Sequence, residues 1–197
     1  MQIDCDLLIA WGGVSRKYGK DEIIFHEDAF PTFYYQIIEG QVKLMNLSSE
    51  GKEFIQGIFY TGDSFGEPPL FINQPYPCTS VVQKDSIIMR LSRESFLKML
   101  ADSPSLQSKF LQTLSARIYH KSVSSREIIN NPSPELRILG FLKSEKKRLA
   151  SDKNVLITHT RQEIANLTGL RVETVIRTLR TMSEQKKVSI IEHKLYY

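Results

Sequence analysis

The chain has 197 residues, 41% hydrophobic and 24% charged, with 26 Lys or Arg against 22 Asp or Glu and a formal net charge of +4. There is room for one large or two small cores, and no apolar run approaches the roughly 18 to 20 residues of a membrane span. Two cysteines, Cys5 and Cys78, lie far apart with no Cys-x-x-Cys pairing, which excludes a zinc site or iron–sulfur cluster built from them in one chain; buried thiols are expected instead.

The opening Met1-Gln2-Ile3-Asp4-Cys5-Asp6 lacks the basic and then apolar start of a secretion signal, so the expected compartment is the cytoplasm. Charge is divided unevenly along the chain. Residues 104 to 197 hold 17 Lys or Arg against 8 Asp or Glu, a net of +9, whereas residues 1 to 103 hold 9 against 14, a net of −5. An acidic front joined to a basic back points to a polyanion meeting only the back.

The front, residues 1 to 102, reads as short strands. Residues 20–25, 34–38, 41–45 and 54–59 are β-branched and aromatic, separated by Glu39-Gly40, Ser49-Glu50-Gly51 and Thr61-Gly62-Asp63, and residues 79–82 and 86–91 add two more. This spacing predicts a closed or sandwiched all-β domain. Gly62-Asp63-Ser64-Phe65-Gly66-Glu67 is read two ways: as glycines that let backbone N–H groups approach an anion with Glu67 accepting from ligand hydroxyls, or as a hairpin turn with a short helix start.

Residues 103 to 131 form the connector. Asp102-Ser103-Pro104 starts a helix well, and Leu106, Phe110, Leu114 and Ile118 recur at four-residue intervals with Leu111 on the same side. A helix of some 25 residues is about 37 Å long, more than a small β-domain covers. The stripe Phe110, Leu111, Leu114 and Ile118 is therefore expected to pair with a second copy, with packing against the β-domain claiming part of it. Asn130-Asn131-Pro132-Ser133-Pro134 breaks the helix and marks a hinge.

Residues 132 to 197 follow a different pattern. A helix over 135–147 supplies Leu136, Ile138, Leu139, Phe141 and Leu142 to a core, and residues 155–158 read as a strand. Thr160 followed three residues later by Glu163 is a capping box, Gly169 allows a tight turn, and a second helix is predicted from about Arg171 to Ser183. On that helix Val175, Leu179 and Met182 point inward, while Glu173, Arg177 and Arg180 share the opposite face. Arg can donate to guanine O6 and N7 and Glu can accept from cytosine N4; alone, such a pair more often makes an i,i+4 ion pair. Residues 188–191 and 195–197 flank Glu192-His193-Lys194 as a hairpin, with Lys186, Lys187 and Lys194 suited to phosphate.

The segment T-R-Q-E-I-A-x-x-T-G-L-x-V-E-T-V-x-R-x-L resembles the helix-turn-helix of the Crp/Fnr family of bacterial transcription regulators, and its V-E-T-V-x-R core is most similar to the Fnr-like branch. Ile38-Glu39-Gly40-Gln41-Val42-Lys43, Gly51-Lys52-Glu53 and the Gly62 to Glu67 segment together resemble that family's cyclic-nucleotide-binding β-roll. The resemblance implies an α+β chain: a jelly-roll-like β-roll or double-stranded β-helix, a long dimerisation helix and a winged helix-turn-helix. It implies base reading by Glu173 and Arg177 with Val172 and Ile176 beside them, and phosphate contacts from Thr160, Arg161, Gln162, Thr174, Arg180 and Lys187. An effector pocket would draw on Gly66, Glu67, Cys78, Thr79 and Ser122. The implied partners are a second copy, double-stranded DNA with a near-palindromic site and RNA polymerase.

The sequence departs from the family at several places, Arg171 among them. Cyclic-AMP-binding members carry an Arg followed by Ser or Thr where this chain has Pro77-Cys78. A phosphate moved into the roll without that cation would be a desolvated, unpaired charge, so the expected effector is an unidentified small molecule rather than cyclic AMP. Ile176 stands where the family has small or polar residues; exposed, it would touch a thymine methyl, and tucked in, it would serve the core. Oxygen sensing through a cysteine cluster and haem ligation are unsupported, and His26, His120, His159 and His193 read as surface or capping residues. The competing reading is a small-molecule module whose basic domain docks a protein or RNA. No metal-ligand spacing appears, and no enzymatic activity is expected.

Overall fold

The computed structural model describes residues 2–51, 53–130, 133–149 and 154–197, with the backbone alone at 124, 125 and 127–130. The chain forms two compact units, Met1–Ser115 and Ala116–Tyr197.

The first unit is an antiparallel, jelly-roll-like sheet with short helices. In chain order it contains α1 (Cys5–Ala10), β1 (Val14–Tyr18), β2 (Ile23–Phe25), β3 (Phe33–Leu47), β4 (Glu53–Tyr60), β5 (Ser64–Phe65), α2 (Glu67–Ile72), β6 (Thr79–Ser92) and α3 (Arg93–Asp102), and it takes in the start of α4 (Pro104–Asn130). The sheet runs β1-β6-β3-β4, with β2 on β6 and β5 on β3. Two pairs of expected strands are single long ones. Residues 34–38 and 41–45 both lie in β3, because Glu39-Gly40 is an irregularity in the ladder rather than a turn, the register against β6 shifting three times between Ile37 and Val42. Gly40 has φ +112, and a Cβ there would stand 2.0 Å from Ser86 Oγ. That hydroxyl accepts from the Gln41 N–H at 3.1 Å and donates to the Lys84 carbonyl at 2.6 Å, fixing the bend. Likewise residues 79–82 and 86–91 belong to β6.

Alternation along β3 feeds two cores. Tyr34 faces one with Leu91, Phe96, Met99, Leu100 and Phe110, while Tyr35 and Ile37 face the other with Phe25, Val42, Phe65, Tyr76 and Val82. Gln36, on the Tyr34 side, accepts from Ile3 N–H at 2.9 Å and donates to Ile3 carbonyl at 2.8 Å, pinning the approach to α1. Cys78 is buried as expected, but Cys5 is half-exposed at the start of α1.

The connecting helix α4 has 27 residues, about 40 Å, and its stripe is split. Phe110 is 2% exposed, ringed by Tyr34, Phe71 and Phe96, and Leu114 packs partly on the same cluster. These two serve the first unit's own core, so Phe110 offers no surface to a second copy. Leu111, Ile118 and Tyr119 are 67%, 67% and 66% exposed. Of the expected hinge, Asn131 and Pro132 lie outside the described residues; α4 ends at Asn130 and α5 (Pro134–Arg148) begins at Pro134.

The second unit packs α5, α6 (Arg161–Thr168) and α7 (Val172–Glu184) with a small antiparallel sheet in the order β7 (Leu156–Ile157), β9 (Lys194–Tyr196), β8 (Ser189–Ile191). Ile138, Leu142, Ile164, Ala165, Val175, Leu179 and Met182 form its core. Leu136, expected among them, is exposed on the outer side of α5. His159 departs from expectation too. It is 6% exposed, its ring meets Phe141 edge-on at 5.2 Å, and its Nδ1 lies 3.7 Å from Glu145 Oε2. Among the described residues no helix is long and apolar enough to cross a membrane.

Candidate nucleic-acid interface

The presentation of α7 begins with the start of α6. Thr160 Oγ1 accepts from the Glu163 N–H at 3.1 Å and Glu163 Oε2 accepts from the Thr160 N–H at 2.8 Å, the reciprocal bonds of a capping box. Gly169 ends the helix at φ +66, its N–H bonded to the Ala165 carbonyl, and the chain re-enters a helix three residues later. An L side chain is strained in that backbone state, so glycine sets the angle between the two helices. Ala165, 1% exposed, belongs to the same core as Val175 and Leu179.

With Val175, Leu179 and Met182 each fully buried, the opposite face of α7 is fixed outward. Glu173, Ile176, Arg177 and Arg180 are all exposed. Glu173 precedes Arg177 by four residues, the favourable order for an ion pair, yet among the described residues neither side chain makes a hydrogen bond or ion pair. Arg180 does pair, with Glu184 at 3.3 Å, both well exposed. Val172 differs from Ile176: it is half-buried against the core cluster, whereas Ile176 is 53% exposed and outside it.

The residues expected at phosphates differ in their availability. Thr160 is exposed but its hydroxyl serves the cap, and Gln162 donates to Asn166 Oδ1 at 2.9 Å. Arg161 is half-buried, which pulls its guanidinium below the usual range. Thr174 is half-buried, and Lys187 is held by Glu135 at 2.5 Å. One feature was missed in the sequence. Asn166, 6% exposed, orients Gln162, and its i,i+4 spacing from Gln162 was the available signal. Arg171, a place where the sequence departs from the family pattern, is an exposed N-cap with no side-chain capping bond.

The expected effector residues lie elsewhere and in different surroundings. Gly66 has φ +73, and a Cβ there would stand 3.0 Å from Phe25 Cε1 and 3.3 Å from Tyr76 Cε1. Those two rings stack at 3.7 Å and 9°, with Tyr35 and Phe65 stacked beside them at 5.4 Å. Glu67 is 1% exposed, Cys78 4% and Tyr76 2%. Burial pushes the Tyr35 hydroxyl up to about 12 and the Tyr76 hydroxyl higher still, and Tyr76 Oη has no hydrogen-bond partner among the described residues. Thr79 Oγ1 accepts from the Glu27 N–H at 3.1 Å. Ser122 belongs to the second unit, exposed, with its hydroxyl donated to the Ile118 carbonyl at 3.0 Å. Gly66, Glu67 and Cys78 thus share an interior lined with the chain's own aromatic rings, and Ser122 is not in that unit.

Comparison with known proteins agrees with both halves. Residues 15–103 match the cyclic nucleotide-binding domain and residues 136–195 the Crp-like helix-turn-helix domain. The chain is 26% identical over 179 residues to the transcriptional activatory protein AadR of Rhodopseudomonas palustris, covering 89% of this chain and 73% of that one. It is 26% identical over 182 residues to the cAMP-activated global transcriptional regulator CRP of Escherichia coli, covering 88% and 84%. Its fold is that of FixK2 from Bradyrhizobium japonicum, with a TM-score of 0.79 at 22% identity over 93% of this chain and 91% of the other. With the β-roll matched in the first unit and the helix-turn-helix in the second, the chain belongs to the Crp/Fnr family of DNA-binding transcription regulators.

Proposed function

We propose that the protein acts in the cytoplasm as a homodimer on a near-palindromic DNA site, with Arg177 on a guanine and Glu173 on the paired cytosine of each half. The observation that carries this is the unspent Glu173–Arg177 pair on the outward face of α7, with Arg180 exposed on the same face and Arg171 exposed at the helix N-cap. Two charged side chains ordered to pair, and not paired, are available for base edges in a major groove. Leu111 and Ile118, exposed and seven residues apart on α4, are the apolar surface on which a second copy would pack, placing two copies of α7 about 34 Å apart. RNA polymerase is the partner implied for a bound regulator.

A small-molecule effector of the β-roll would have to displace or use the aromatic rings around Gly66. Cyclic AMP is disfavoured, because Pro77-Cys78 supplies no cation for its phosphate. Enzymatic activity forms no part of the proposal.

Binding measured on DNA selected from a random pool tests the reading. Wild-type protein should prefer the selected duplex by at least ~10³-fold over random DNA at physiological salt, with a footprint covering two half-sites. Arg177→Ala should lose ~10- to 100-fold of that preference while its helical circular dichroism and thermal midpoint stay unchanged. A variant that retains full base preference, or a footprint of one half-site per protein, defeats the proposal.

A further inference from the structure

Ile176 is an apolar side chain on a face that is otherwise charged. Its exposure of 53% contrasts with Val175 and Leu179, which are fully buried, and with Val172, which packs partly on the core. The helix is therefore complete without it. At 3.6 residues per turn, Ile176 lies roughly 60° from Glu173 on the side away from Arg177, and about 4.5 Å further along the axis. It flanks the reading pair and would face a neighbouring base pair rather than the G·C pair itself.

We propose that Ile176 selects a thymine beside the G·C pair through that base's 5-methyl group, an inference that rests on the DNA-reading role proposed above. In the major groove only thymine offers an apolar group at its edge; cytosine and adenine present amines and guanine presents acceptors. Isoleucine against any of those would bury a polar group with nothing to bond it, whereas against the methyl both partners leave water. β-Branching adds definition. In a helix isoleucine holds one χ1 rotamer almost exclusively, so the side chain is presented in a single direction before DNA arrives. A small or polar residue at this position would carry neither property.

Uracil in place of thymine deletes the methyl and changes nothing else in the groove. With the full-length chain and its selected site, each thymine would be replaced by uracil in turn in both half-sites, and affinity read by fluorescence anisotropy. One position should weaken wild-type binding by about fourfold per half-site, the value of one buried methyl. Ile176→Ser should bind thymine and uracil DNA equally at that position, and Ile176→Val should keep the penalty. Circular dichroism of both variants should match wild type. A selected site with no thymine next to the G·C pair, a wild type indifferent to every uracil, or a serine variant that keeps the penalty would each overturn the assignment. A duplex with 7-deazaguanine separates the two levels of the argument. If it and Arg177→Ala both leave binding intact, DNA reading itself fails; if they weaken binding and uracil does not, Ile176 alone is misassigned.

Discussion

The β-roll and the helix-turn-helix each carry family motifs, and each uses a left-handed glycine to place them, Gly66 at φ +73 in one and Gly169 at φ +66 in the other. The surroundings then treat the motif residues in opposite ways. Around Gly66 the rings of Phe25 and Tyr76 close in to 3.0 and 3.3 Å of where a Cβ would stand, and Glu67 is 1% exposed. At Gly169, among the described residues, nothing beyond the neighbouring chain itself lies within 4 Å of the corresponding point, and Glu173 and Arg177 are exposed. A motif specifies a backbone path. Whether its side chains can meet a ligand is decided by what packs around that path, and in this molecule the same kind of signal leads to a filled interior at one end and an open face at the other.

Removing a ring from the filled interior is the strongest way to break that contrast. Tyr76→Ala should destabilise the β-roll by about 3–5 kcal/mol, since a fully buried aromatic side chain leaves a cavity that its stacked neighbours only partly close. Tyr76→Phe should be close to neutral, because the hydroxyl it deletes has no partner among the described residues. Trp11, the only tryptophan, packs partly on the first unit's core and reports its unfolding by fluorescence during denaturant titration. A cost below about 1 kcal/mol for the alanine variant would mean that Tyr76 covers a ligand site rather than building a core.

Those two ends also differ in how much the sequence disclosed. The capping box, the turn glycine and the inward stripe of α7 depend on residues within a few positions of one another, and each was legible because the physics that makes it is local. In the roll the deciding contacts are distant. Glu39-Gly40 looks like a turn until Ser86, far along the chain, is seen to fill the space a side chain would need. Helices α1 and α3 and strand β1 were not anticipated: their apolar residues, such as Leu8 and Phe96, meet partners from other elements and show little periodicity of their own. Phe110 illustrates the same limit. Helical spacing put it in one stripe with Ile118, and only packing divides the stripe into a part spent on the first unit's core and a part left exposed.

His159 offers a smaller test, confined to the second unit. Burial holds its pKa below the ordinary 6.5, with Glu145 and then Glu163 pulling upward and Arg148 pushing down. The unfolded chain takes up a proton near 6.5 while the folded one still holds a neutral ring, so between the two values the unfolded state binds more protons. Stability of the helical unit should therefore be complete above that pH and fall as pH drops through and below it, by at most ~1.4 kcal/mol per pH unit. His159→Phe should flatten that slope in thermal melts followed by helical circular dichroism. A wild-type profile without the slope would place the imidazole in water and undo its description as buried beside Phe141 and Glu145.

The smallest effect lies at the wing. β8 and β9 are joined by Glu192-His193, with φ of +47 and +64, so a two-residue hairpin turn of the kind that favours Asn-Gly is made here without glycine. The left-handed state costs an L residue of order 1 kcal/mol, partly returned when glycine's looser unfolded chain is counted. His193→Gly should accordingly stabilise the second unit by about 0.5 kcal/mol, a shift of a few degrees in thermal midpoint. In the roll the sharp bend at Gly40 is already glycine, while the wing, like Asp21, Asp28 and Asn73 of the roll, holds L residues in the left-handed state. Binding separates two reasons for that. If the glycine variant is more stable and binds selected DNA as wild type does, the turn is merely unoptimised. If it is more stable and binds several-fold more weakly, with a shallower dependence on salt, the wing tip reaches a phosphate and the open face extends from α7 to the hairpin.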